Sequence, residues 1–155
     1  MSLEDWLNNR WLHRHETSAE EIQALLHSAE EDIRSAQIEG IAAGWRLNMG
    51  YTAALRYARA ALYAYGYRPA REREHERTID SLTHTVPSVE NDTIKLLHKI
   101  RKMRHTATYD SVDMISNTEA AAAMKLAANL GQQVTAWREK SIRRYYGEFA
   151  SQTLL

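Results

Sequence analysis

Apolar residues recur every three or four positions from Ile22 onward, through Leu25, Leu26, Ala29, Ile33 and Ala36, while Glu20, Glu30, Glu31 and Arg34 fall on the other face. That spacing predicts an amphipathic helix with one side in a core. Ser18 with Glu21 three residues later predicts a capping box at its start. Gly40 interrupts the pattern. The next run, about 41–65, is the most apolar in the chain: Trp45, Leu47, Tyr51, Leu55, Ala58, Leu62 and Tyr65 mixed with alanines and glycines. Small residues allow close approach of neighbouring backbones, so a central helix packed on several sides is expected. Its Arg46, Arg56 and Arg59 need acids or water. Gly66-Tyr67-Arg68-Pro69 ends it, with glycine just past the last turn and proline shortly after.

A third helix is expected over about 71–84. The charges of residues 71–77 alternate, predicting a solvated, internally paired surface, and His75, Ile79 and Leu82 share a face that points His75 towards the core side or an interface. A loop at Val86-Pro87-Ser88 leads to a helix at about 89–108. Asp110-Ser111-Val112-Asp113 offers the cap for a last helix over about 113–140, with Met114, Ala121, Met124, Ala128, Leu130, Val134 and Trp137 as core positions. Gly131 weakens the middle of that helix by about 1 kcal/mol relative to alanine. Fraying is expected after Arg143-Arg144-Tyr145-Tyr146. The chain divides into a short docking segment (1–17), a helical bundle (18–140) and a C-terminal tail (141–155). In the first, Trp6, Leu7, Trp11 and Leu12 predict a short amphipathic turn or helix that docks by its tryptophans, or alternatively a partner contact. His13 and His15 form an H-x-H pair with no further ligand of clear spacing, so no metal is expected.

At 155 residues one domain with a real core is expected. Charged residues make up 26% of the chain, and 20 acids balance 20 Lys and Arg, which excludes gross disorder and a strongly basic nucleic-acid binder. The balance hides an asymmetry: acids crowd the first third, at Glu20, Glu21, Glu30, Glu31 and Asp32, and cations dominate 95–104. Arginine outnumbers lysine three to one, and its fork suits phosphates and carboxylates. Without cysteine there is no disulfide framework, no thiol nucleophile and no Cys-based metal site. This fits a reducing cytoplasm. No apolar run approaches the ~20 residues of a membrane span. Few prolines and glycines with long alanine-rich stretches indicate an all-α chain with no strand of consequence.

Candidate chemistry gathers at 98–109. With Leu96 set at zero and about 100° per residue, Ile100, Met103 and Ala107 form an apolar stripe, and His98, Arg101, His105 and Tyr109 lie opposite. Between Asp92 and Asp110 there are five Lys or Arg and no acid. The stripe reads either as a solvated basic face or as a site for a phosphate backbone. In the second reading Arg101, Arg104, His105 and Tyr109 are the candidate catalytic residues, and His98, Lys102, Arg68 and His75 are candidate binding residues. The tyrosines at 51, 57, 63, 65 and 67 could stack bases, although tyrosines at helical spacing also read as core residues with their hydroxyls at its edge.

Several segments together resemble one family. Ala58-Arg59-Ala60-Ala61-Leu62-Tyr63-Ala64-Tyr65-Gly66-Tyr67-Arg68-Pro69 is similar to the "R-A-L-L-Y-A-x-G-Y-R-P" signature of bacterial HEPN-domain proteins. Glu74-His75-Glu76-Arg77-Thr78-Ile79-Asp80-Ser81-Leu82 matches the histidine and aliphatic helix that follow it. Arg101, Arg104, Ala107 and Tyr109 match a closing "R-x-x-R-x-x-A-x-Y" element, and the alanine-rich helix after Asp113 also fits. The resemblance spans about 18–140. It implies an up-and-down bundle of four or five helices, a homodimer, no cofactor, and a role with RNA or a nucleotide, or beside a nucleotidyltransferase-like partner in a toxin–antitoxin or defence system. Catalytic relatives are metal-independent endoribonucleases in which an Arg precedes a His by four to six intervening residues, often with a Tyr two residues after the His. There Arg would stabilise charge on the phosphorane and His would move protons. Here Ala107 stands two before Tyr109, and His105 lies only four after Arg101. The departure implies a non-catalytic or weakly catalytic member, the endoribonuclease toxin being the alternative. A helical interaction protein without nucleic-acid binding is the third reading.

Overall fold

The computed structural model describes the backbone of residues 1–109 and 114–153, and the side chains of 1–105 and 114–141. The elements in order are α1 (Leu3–Asn8), β1 (Leu12–Arg14), α2 (Ala19–Ala36), α3 (Ala43–Ala64), β2 (Tyr67–Pro69), α4 (Glu74–Asp80), α5 (Leu82–Thr85), α6 (Asn91–Tyr109) and α7 (Asn117–Thr153). The architecture is an all-α bundle, as the periodicities predict. The most apolar segment, α3, is its central helix, packed chiefly against α7 and α2 and also against α6 and α4. Its buried residues Leu47, Tyr51, Ala54, Ala58 and Ala61 meet Ile22, Leu26 and Ala29 of α2, Leu97 and Ile100 of α6, and Ala123, Ala127 and Leu130 of α7 in one core. Close approach rests on two glycines. A Cβ on Gly50 would lie 3.2 Å from the Ala123 carbonyl, and one on Gly131 would lie 2.6 Å from Cζ of Tyr57.

The helix starts follow local chemistry. Ser18 Oγ accepts the Glu21 N–H at 3.1 Å, but the expected reciprocal bond is absent. The Glu21 carboxylate instead accepts from Thr17 Oγ1 at 2.7 Å and pairs with the His15 ring at 2.6 Å, tying the N-terminal segment to α2. Gly40 sits at φ +91° and Gly66 at φ +87°, left-handed conformations that favour glycine. A full reciprocal capping box opens α7 at Ser116 and Glu119, both bonds 3.0 Å. The cap expected at 110–113 lies outside the described residues.

The structure adds detail to some expectations and corrects others. A small antiparallel sheet is present: Leu12 faces Pro69 and Arg14 faces Tyr67, which clamps the N-terminus onto the end of α3. Trp6 is buried in a second cluster with Leu3, Leu12 and Leu62, its ring edge-on to Trp11 at 5.9 Å and to His84 at 5.2 Å. The tryptophan segment therefore docks within its own chain, and partner contact through Trp6 is excluded by burial. The third helix begins at Glu74, not at 71, because Arg73 adopts a left-handed backbone at φ 56° and ψ 35°. Two expected core residues, Trp45 and Met114, are exposed, at 56% and 66%. In α7 the buried stripe is Ala120, Ala123, Ala127, Leu130 and Val134, one position off the expected Ala121, Met124 and Ala128. The last helix continues to Thr153 and not merely to about 140.

Candidate anion-binding site

Helix α6 is rotated relative to the sequence expectation. Leu96 is 39% exposed, while Ile94, Leu97 and Ile100 are buried. Counting from Leu97 at about 100° per residue, Arg101 lies near 40° and Arg104 near −20°. The two arginines thus continue the core-facing side of α6 and do not stand opposite it. They reach the bundle where the apolar core gives way to Asn48 and Tyr51 of α3 and to α4.

Each guanidinium has a defined setting. Arg104 Nε donates to Asn48 Oδ1 at 2.7 Å, and its Cζ stands 5.3 Å from the centre of the Tyr51 ring, in cation–π range. Arg101 places Nη1 3.8 Å from Glu76 Oε1, and its Nε is buried without a hydrogen-bond partner. Such a buried donor is uncommon and calls for an explanation. Arg73 donates through both Nε and Nη2 to Glu76 Oε2, at 3.1 and 2.6 Å. Arg59 stands 3.6 Å from Glu74. Together Arg71, Arg73, Glu74, His75, Glu76, Arg101, Arg104 and His105 line a cavity of about 350 Å³.

His75 lines the cavity and Tyr51 lies behind it, Tyr51 Oη standing 3.0 Å from His75 Nδ1. Burial pushes the Tyr51 phenol up to about 12, against the pull of Arg104, Arg101 and Arg59, so it keeps its proton at neutral pH. Burial, and then the Arg104 charge, hold His75 below its ordinary value, so its imidazole is neutral at pH 7. The Arg73 hydrogen bonds, helped by Arg101, hold Glu76 below the usual carboxylate range. The site is therefore a set of cations around a neutral histidine, with the ionised Glu76 held among them and Glu74 at the same lining.

Of the residues singled out from the sequence, Arg101, Arg104, His105 and His75 come together on the cavity. His98 turns aside and pairs with Asp80 at 2.7 Å. Lys102 is exposed on α6 and does not line the cavity. Arg68 is exposed on β2 opposite His13, in the small sheet and not in the site. The backbone of α6 ends at Tyr109, whose side chain lies outside the described residues. Sequence reasoning missed Asn48, Tyr51, Arg71, Arg73 and Glu76. The spacing of Arg73 and Glu76 signalled only a surface pair, and Tyr51 read as a base-stacking or a core residue, not as a partner of His75 and Arg104; it is in the core, at 2% exposed.

Among the described residues no group of three or more His, Asp or Glu is arranged to hold a metal ion, and no helix is long and apolar enough to cross a membrane. No curated protein matches the chain at a significant level. The family model of the HEPN domain matches residues 22–137, which runs from the first core residue of α2 to the tryptophan of α7 that stacks on Tyr65 at 5.8 Å and takes in the whole cavity. The chain belongs to the HEPN domain family.

Proposed function

We propose that this chain is a cytoplasmic HEPN module, non-catalytic or weakly catalytic, that binds RNA or a nucleotide through phosphate at the Arg71, Arg73, Arg101 and Arg104 cluster. One observation carries the reading: four arginines line one 350 Å³ cavity while the Arg101 Nε is buried with no acceptor. A phosphate oxygen supplies the missing acceptor once the Arg101 side chain turns its Nε towards the cavity, and arginine is the side chain suited to it. Homodimerisation, and a nucleotidyltransferase-like partner in a toxin–antitoxin or defence setting, belong to the same reading. Family membership supports both, and the exposed Trp45, Leu96 and Met114 add apolar surface for a dimer. The test is binding of a labelled single-stranded RNA across a salt series. The double variant Arg101→Gln with Arg104→Gln should weaken binding, and its log–log salt slope should be shallower by about 1.4, or about 0.7 per lost phosphate contact on a single strand. Unchanged affinity and slope would reject the site.

A second reading, the metal-independent endoribonuclease, is favoured by one specific feature. His105 and the neutral His75 share the cavity with the arginines, so that His75 supplies a proton acceptor and His105 a second imidazole beside cations able to stabilise a phosphorane. Cleavage of RNA in the presence of a chelator, lost about 10²–10⁴-fold in His75→Ala or His105→Ala with binding retained, would establish it. No cleavage by the wild-type protein would leave the binding reading standing.

A further inference from the structure

We propose that Glu76 is an internal counter-anion that occupies the arginine cluster until a phosphate monoester displaces it, so that the site selects a terminal, dianionic phosphate over a bridging diester. The inference rests on the phosphate-binding reading above. It begins from the way Glu76 is held. Arg73 grips Oε2 with two donors, at 3.1 and 2.6 Å, from a backbone at φ 56° that non-glycine residues adopt at a cost. The other oxygen faces Arg101 at 3.8 Å, too far for a hydrogen bond, and the Arg101 Nε beside it has no acceptor. The carboxylate thus bridges two guanidinium groups, one from the residue that precedes α4 and one from α6, but leaves donors unmet. It has two oxygens where a terminal phosphate has three.

Charge sets the selectivity. The cavity is lined by four arginines and two glutamates, a formal balance of two positive charges. Glu74 is also engaged by Arg59 from outside the lining, at 3.6 Å, so Glu76 is the acid whose departure frees cations. A diester carries one negative charge, and exchanging it for Glu76 leaves the charge of the cluster as it was. A monoester carries about −1.5 to −2 at pH 7, so the same exchange gains charge and fills the third acceptor position. The cavity volume of about 350 Å³ lies at the small end of ligand sites, roughly 300–1,000 Å³, a fit for one nucleotide or one strand end and not for a duplex.

The experiment compares a short single-stranded RNA bearing a 5′-phosphate with the same RNA bearing a 5′-hydroxyl, both labelled at the 3′ end. Binding is measured to wild type, Glu76→Gln, Arg73→Ala and the Arg101→Gln/Arg104→Gln variant. In the wild type the phosphorylated strand should bind about tenfold tighter or more, the effect of one additional charge-assisted hydrogen bond. Glu76→Gln should tighten both strands, because the competitor is gone, whereas Arg73→Ala should weaken the phosphorylated strand. Competition by AMP and by inorganic phosphate separates the sources: displacement at matching concentrations indicates a free nucleotide, and weak displacement indicates an RNA end. Equal wild-type affinity for the two strands overturns the selection. Weakening by Glu76→Gln to the level of Arg73→Ala overturns displacement, since Glu76 would then act by positioning Arg73. If no variant, the double Arg variant included, alters affinity for either strand, it is the phosphate-binding reading itself that fails.

Discussion

Replacing Gly131 by alanine should destabilise the protein, against what helix propensity alone says. In an open helix the change gains about 1 kcal/mol. Here the new Cβ would lie 2.6 Å from Cζ, 2.7 Å from Cε2 and 2.8 Å from Oη of Tyr57. That is about 0.9 Å inside the optimum carbon separation of roughly 3.5 Å. The ring is 4% exposed, so relief requires moving a packed aromatic group or spreading α3 from α7. Overpacking of a core costs about 1–3 kcal/mol. A displacement of this size on a rigid ring takes the upper part of that range, leaving a net loss of about 1–2 kcal/mol. For a chain of this length the midpoint should fall by about 2–8 °C. Thermal and urea unfolding of wild type, Gly131→Ala, Tyr57→Leu and the double variant form the assay, and the clash predicts that Gly131→Ala costs less when Tyr57→Leu is already in place. Stabilisation by about 1 kcal/mol in the single Gly131→Ala variant would refute the close approach.

Two further outcomes follow from the same geometry. Because His75 has a folded-state value below its ordinary 6.5, the unfolded chain binds more protons in the window beneath that value; its contribution to stability is complete above about pH 6.5 and is lost as pH falls towards the folded value. The urea midpoint should therefore drop between pH 7.5 and 5.5, and His75→Gln should flatten the drop; an identical slope in the variant would count against a half-buried neutral imidazole. Trp6→Ala, which empties the cluster formed with Leu3, Leu12 and Leu62, should cost about 3–5 kcal/mol, and a change under 1 kcal/mol in chemical denaturation would mean that the N-terminal segment is not part of the folding unit.

The bundle was legible because its helices carry strong one-sided patterns, and Ile22, Leu26 and Ala29 pack as the spacing says. The small sheet was not. Strands of three residues are too short to show alternation, and β1 and β2 are joined only by pairing across more than fifty residues. The start of α4 was hidden by Arg73, a residue whose left-handed backbone no propensity announces. Half of the site could be read: Arg101, Arg104 and His105 were singled out as a cluster, and His75 by its place on an apolar face. Asn48, Tyr51 and Glu76 were not, because each joins the candidate site through a neighbour distant in sequence: Arg104 for Asn48, His75 for Tyr51, Arg101 for Glu76.

The rotation of α6 shows why one helix in isolation misleads. Its sequence offers two apolar stripes about 100° apart, one centred on Leu96 and Met103 and the other on Leu97, Ile94 and Ile100. Each is self-consistent, and the choice is made by α3, whose Leu47 and Tyr51 share one core with Leu97 and Ile100. Once that stripe is buried, Arg101 and Arg104 fall at its end, on the core side. Their half-buried stems cover apolar surface as well as carrying charge. Truncating them to alanine would remove packing and the Asn48 bond together, and a loss of RNA binding would then be indistinguishable from a loosened α6. Glutamine keeps most of the stem and removes the charge. The same coupling gives each side chain a defined partner: Arg104 has Asn48 and the Tyr51 ring, Tyr51 has the core and His75, and Arg101 has Glu76. The cations are held at the edge of the bundle core, which keeps them pre-positioned for an anion without the ordering cost that flexible surface arginines carry.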